Sequence, residues 1–178
     1  MKTFLTLALA AALCAPVSAQ KMGMSNNNAP TVKQTVTAGD ATMSLDYISI
    51  TWASGKTMTA IMDKEKGANT RSRVNSSASK APLATFKTSV DVMCGNLHLA
   101  AGEYKIYYTI DDDLNWSINF MMGDKTQTMK LDLADSEHES KRLMMCMYAG
   151  EEAGAGVYVA FGNKSGMIDF KPHMADKK

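Results

Sequence analysis

Leu114-Asn-Trp116-Ser-Ile118-Asn-Phe120 decides the fold. Every second residue is large and apolar, and each one between is polar. A period of two lays one face of an extended chain on a core and leaves the other in water. An amphipathic helix would instead place its apolar residues three and four apart. Upstream, Tyr104-Lys-Ile106-Tyr-Tyr108-Thr-Ile110 repeats the pattern, and downstream Met129-Lys-Leu131-Asp-Leu133 does so again. Phe86, Val90, Val92 and Cys94 fall on one face of another segment. Val157, Val159 and Phe161 fall on one face of a later one.

Turn signals separate these runs. Gly39-Asp40 divides Thr31–Thr37 from Ala41–Trp52, and Cys94-Gly95-Asn96 divides a strand from the short Leu97–Ala100. Ala101-Gly102, Asp111-Asp112-Asp113, Gly123-Asp124-Lys125, Ala149–Gly156 and Gly162–Gly166 mark the others. Short alternating strands between such turns predict an all-β fold, an antiparallel, jelly-roll-like β-sandwich of about nine strands. Residues 30–172 are expected to form this single domain.

Asp63–Pro82 does not alternate. It is polar, Ser-rich and almost free of large apolar residues. It reads as one long loop, and a loop of this length in a compact domain is usually functional. Asn69, Arg71, Arg73 and Asn75 are its candidate binding residues.

The N-terminus reads as an address. Lys2 gives a positive start, Phe4 to Cys14 an apolar run, and Ala15-Pro16-Val17-Ser18-Ala19 the small residues of a cleavage site. Residues 1–19 are therefore expected to be a signal peptide, too short in its apolar part to span a bilayer. Residues 20–29 read as a flexible leader and 173–178 as a polar tail. The expected product is exported, periplasmic or secreted, and not inserted in the membrane after cleavage.

The chain carries 19 Lys and Arg against 18 Asp and Glu, and loss of Lys2 would balance them. Nucleic-acid binding draws on an excess of cations, so no nucleic-acid partner is expected. Of three cysteines, Cys14 would leave with the signal peptide, and Cys94 and Cys146 would remain in an oxidising compartment. They are a disulfide candidate worth roughly 4 kcal/mol on the chain-entropy account. Two buried thiols are the alternative.

Motifs for chemistry are sparse. His98, His138 and His173 have no metal-ligand spacing, and His98, between Leu97 and Leu99, should point outward. Met144-Met145-Cys146-Met147 offers soft donors for Cu(I), yet in a strand its neighbours face opposite ways. Core filling is the expected role of the methionines. Asp111-Asp112-Asp113 lacks the spacing of a calcium loop, and Asp135-Ser-Glu137-His-Glu139 reads as a polar connector. No Ser stands in a nucleophile-elbow or Ser-x-x-Lys context, and there is no phosphate loop. No cofactor, metal ligand or catalytic residue is expected.

Ala84-Thr-Phe-Lys-Thr-Ser-Val-Asp-Val-Met-Cys-Gly-Asn-Leu-His-Leu-Ala-Ala-Gly-Glu-Tyr104, continued by Lys105–Ile110, resembles the bacterial family termed domain of unknown function 2911. That family shows a Thr-rich strand, a Gly turn, and Leu-x-Ala-Gly-x-Tyr leading into an aromatic strand. Leu114–Phe120 resembles its Trp-x-x-x-Phe segment, and Val32–Thr37 with Leu45-Asp46-Tyr47 its opening strands. The resemblance runs from about Pro30 to Pro172. Gly67-Ala68-Asn69 matches the family's Gly-Ala-Asn, but Asp63-Lys-Glu-Lys66 stands where the family has Trp-Arg. The resemblance implies an exported, divergent member and no particular chemistry.

The expected function is thus a non-catalytic exported sandwich that binds a ligand or partner through its loops. An envelope hydrolase and a periplasmic Cu(I) or redox protein using Met and Cys are the alternatives.

Overall fold

The computed structural model describes residues 29–51, 56–150 and 154–173. The expected signal peptide, the leader up to residue 28 and tail residues 174–178 lie outside these. The described chain runs β1 (Thr31–Ala38), β2 (Ala41–Ile48), α1 (Lys56–Met62), α2 (Ala68–Ala78), β3 (Ala84–Thr88), β4 (Val92–Cys94), β5 (Leu97–Leu99), β6 (Gly102–Ile110), β7 (Trp116–Met122), β8 (Lys125–Leu131), β9 (Ala134–Ala149) and β10 (Ala155–Pro172).

The period of two sets the inner face, while Tyr107 and Asn119 on the other face of the sheet are buried as well. In β7, Trp116, Ile118 and Phe120 are buried, and in β6 so are Tyr104, Ile106, Tyr108 and Ile110. Glycines close the tight hairpins. Gly39 joins β1 to β2 at φ 59°, and Gly123 joins β7 to β8 at φ 58°. A side chain there would crowd the backbone.

Antiparallel pairing builds a six-stranded sheet in the order β1-β2-β3-β6-β7-β8 and a four-stranded sheet in the order β5-β4-β10-β9. Their inner faces meet as a sandwich. Phe86 of β3 stacks on Phe170 of β10 at 4.4 Å, and Trp116 of β7 meets Phe161 of β10 at 4.6 Å. Each such ring contributes roughly 2–3 kcal/mol by leaving water. β10 does not run straight. Tyr148 of β9 stands opposite Gly156, yet its hydroxyl also reaches Asp169 at 3.3 Å. The strand bends back around Gly162, at φ 52°, within the turn expected at Gly162–Gly166.

One lateral edge is closed by side chains. The Gln34 amide of β1 donates to the Met145 carbonyl at 2.6 Å and accepts from the Met147 N–H at 2.8 Å. Beyond β2, the Leu143 N–H donates to the Ile50 carbonyl at 2.8 Å.

Four expectations need correction. The Phe86–Cys94 face is divided between the sheets, because β3 pairs with β6 while β4 pairs with β10. Asp63–Pro82 is not one loop, since Ala68–Ala78 is helical. Asp135–Glu139 is not a connector but the polar first half of β9, on a sheet edge. Cys94 and Cys146 are free thiols, not a disulfide. Cys94 points into the sandwich and Cys146 outward, and β10 lies between their strands. Two inter-strand spacings alone make about 10 Å, beyond the reach of an S–S bond.

Candidate functional site

Two of the four candidate residues, Arg71 and Asn75, tie α1 and α2 to the β6–β7 hairpin. α1 ends at Met62, and the last carbonyls of a helix have no partner within it. Arg71 supplies them. Its Nη1 donates to the Ile61 carbonyl at 3.0 Å and to the Asp63 carbonyl at 2.8 Å. Its Nη2 donates to the Lys64 carbonyl at 3.2 Å and to Asp112 Oδ1 at 3.1 Å, and its Nε to the same Asp112 oxygen at 3.3 Å. All five N–H groups of the guanidinium are engaged, and the side chain is only 1% exposed. The buried cation is tolerable because every donor has an acceptor and Asp112 balances its charge.

Gly67 makes this packing possible. A Cβ there would stand 2.3 Å from the carbonyl oxygens of Ala60 and Asp63, and 2.6 Å from Arg71 Nη1. Asp63 shapes the turn itself, its Oδ1 accepting from the N–H groups of Glu65 and Lys66. Farther along α2, the Asn75 amide donates to the Ile110 carbonyl at 2.8 Å and accepts from the Ile110 N–H at 3.0 Å. Arg71 and Asn75 therefore hold the β6–β7 hairpin against the helices, and Arg71 is not open to a partner. Asn69 and Arg73 are exposed.

The hairpin's three aspartates have separate tasks. Asp111 accepts from the Asn115 N–H and side-chain amide, which hold its carboxyl below the usual range. Asp112 takes Arg71, and Asp113 pairs with Lys64 at 2.9 Å. Lys64 is raised by the hydrogen bond to Asp113. The turn forces Leu114 to φ 67°, the only non-glycine at positive φ among the described residues. A left-handed leucine costs about 1–2 kcal/mol.

That strained leucine faces a cleft of about 510 Å³. Met62, Leu114, Trp116, Leu131 and Leu133 make its apolar lining, and Lys130, Asp132 and Lys164 its polar part. The volume suits a small molecule. Lys164 is paired with Asp135 at 2.7 Å, whereas Lys130 makes no ion pair among the described residues. No Ser, Cys or His is among the described residues lining the cleft. A second cleft of about 440 Å³ lies by Tyr148, Gly150, Gly154 and Asp169.

Other soft or titratable groups are distributed as follows. His98 points outward, as expected, and the fold brings His173 to it, with ring centroids 4.8 Å apart. His98 Nε2 lies 3.2 Å from Asp91 Oδ2. His138 is exposed on β9. Among the described residues no three His, Cys, Asp or Glu side chains converge where a metal ion would sit. Core filling describes only some methionines: Met43, Met145 and Met147 are buried, but Met122, Met144 and Met167 are exposed. Burial pushes the Cys94 thiol up to about 12. Among the described residues no helix is long and apolar enough to cross a membrane.

The cleft escaped sequence reading because its lining comes from four separate places in the chain. One signal was legible: Asp111–Asp113 leads into a leucine where such a turn favours glycine. No family model, no curated protein and no solved structure matches the chain.

Proposed function

We propose that this protein is a non-catalytic binding domain that takes a small amphipathic acid in the Leu114–Trp116 cleft. The observation that carries this is an apolar lining whose polar side holds Lys130, a cation in no ion pair among the described residues, beside Asp132 and the paired Lys164. The hydrocarbon or ring of such a ligand would displace water from Leu114, Trp116, Leu131 and Leu133. Its carboxylate would meet Lys130, which has no competing ion pair among the described residues. The left-handed Leu114 supports the same reading, because strain of this kind clusters at ligand sites. Hydrolysis finds less support, since the described lining offers no Ser, Cys or His.

Export is part of the proposal and rests on residues 1–19, with their charged start, apolar run and small-residue cleavage site. Descent from the family of domain of unknown function 2911 rests on Ala84–Tyr104. The balanced charge supports a partner that is not a nucleic acid.

Octanoate and 1-naphthoate, each beside its matching alcohol, are suitable probes in a thermal-shift titration. At least one acid should raise Tm by several degrees and its alcohol by less. Leu114→Gly should reduce that shift while raising the stability of the free protein by about 0.5–1 kcal/mol, as the backbone strain is relieved. No shift with any acid, or an equal shift in Lys130→Gln, overturns the reading.

A further inference from the structure

The outer face of the four-stranded sheet carries sulfur. In β9 the alternation that buries Leu143, Met145 and Met147 turns Met144 and Cys146 outward. The two stand two residues apart on one face, about 7 Å along the strand. Met144 lies opposite Ala160 of β10, whose small side chain leaves the methionine arm room to move. Cys146 lies opposite Tyr158 and is a free, exposed thiol. Met167, in the returning half of β10, is 63% exposed. Its sulfur lies 3.6 Å from the hydroxyl of Tyr148, the next outward residue after Cys146.

The chemistry of these exposed side chains is selective. Among the described residues the exposed large hydrophobics are Met122, Met144 and Met167, and none is a hydrocarbon or an aromatic. A patch meant only to exclude water would use Leu, Ile or Phe equally well. Thioethers and a thiolate are instead donors for soft monovalent cations.

We infer that Met144 and Cys146 chelate one Cu(I) ion on this face, with Met167 as third donor. The strand fixes the two arms side by side, and the flexible methionine closes on the ion. Binding replaces the Cys146 S–H proton by the metal, so one proton is released per ion and no electron is transferred. The site is remote from Lys130 and stands independently of the cleft.

The test uses the full reduced chain, without oxygen, competing for Cu(I) with bicinchoninate. The wild type should withdraw one ion per chain. Cys146→Ser and Met144→Leu should each weaken retention at least tenfold, and Met167→Leu about threefold. Met145→Leu, on the same strand but facing inward, should match the wild type. Cu(I) should also protect Cys146 from iodoacetamide, read by peptide mass mapping, which requires no variant. Absence of retention, retention unchanged in Cys146→Ser and Met144→Leu, or unprotected Cys146 each overturns the site.

Discussion

The sandwich interior and the helical insert are held by opposite kinds of force. Between the sheets, Phe86, Phe120 and Phe170 meet ring to ring, with centroids 4.4 to 6.4 Å apart. Their attraction is non-directional and follows the area removed from water. The insert has little to remove: the buried residues of α2 are Arg71, Val74 and Ala78. One guanidinium gathers three carbonyls and a carboxylate instead, and each bond depends on direction. An apolar core should therefore bend under substitution, while an insert organised around one cation should break.

The largest effect is expected at Arg71. Arg71→Met removes five donors and leaves the Ile61, Asp63 and Lys64 carbonyls without their partner, at about 3–4 kcal/mol. Arg71→Lys should recover little of this, because an ammonium has three donors and no planar fork. Urea unfolding measures both. Full rescue by lysine would mean that charge alone, and not the fork, organises the insert.

Gly67→Ala comes next, at about 2–3 kcal/mol, because the obstructing atoms are backbone oxygens that cannot swing away. Its φ is −84°, ordinary for alanine, so the effect is one of space alone. A neutral Gly67→Ala in thermal unfolding would show that the two helices can separate freely. The smallest of the three is Phe86→Leu, about 1–2 kcal/mol, since neighbouring rings can partly refill the volume. A loss exceeding that of Arg71→Met would reverse the comparison.

The same contrast explains what could be read in advance. Trp116, Ile118 and Phe120 announce their strand because each inward residue is apolar. Arg71, Val74 and Ala78 follow a helical spacing, but the first is a cation and the last is small, so no apolar stripe appears. The serines around them add weak helix propensity, and the segment passes for a loop. The polarity of Arg71 and Asn75 reads in the sequence as a binding surface, but it is directed at Asp112 and at Ile110. The cysteines were legible as residues but not as partners. Which strands flank β10 depends on the return of the chain to β4, and no local pattern encodes it.

Gln34 has a consequence for how copies of this protein meet. β9 ends the four-stranded sheet, and an unpaired strand edge is a template on which another chain can assemble. The Gln34 amide already occupies the Met145 carbonyl and the Met147 N–H, the pair of groups an incoming strand would seek. A single side chain thereby acts as a stopper against edge-to-edge growth. Protection of this edge is written into β1, a strand of the other sheet.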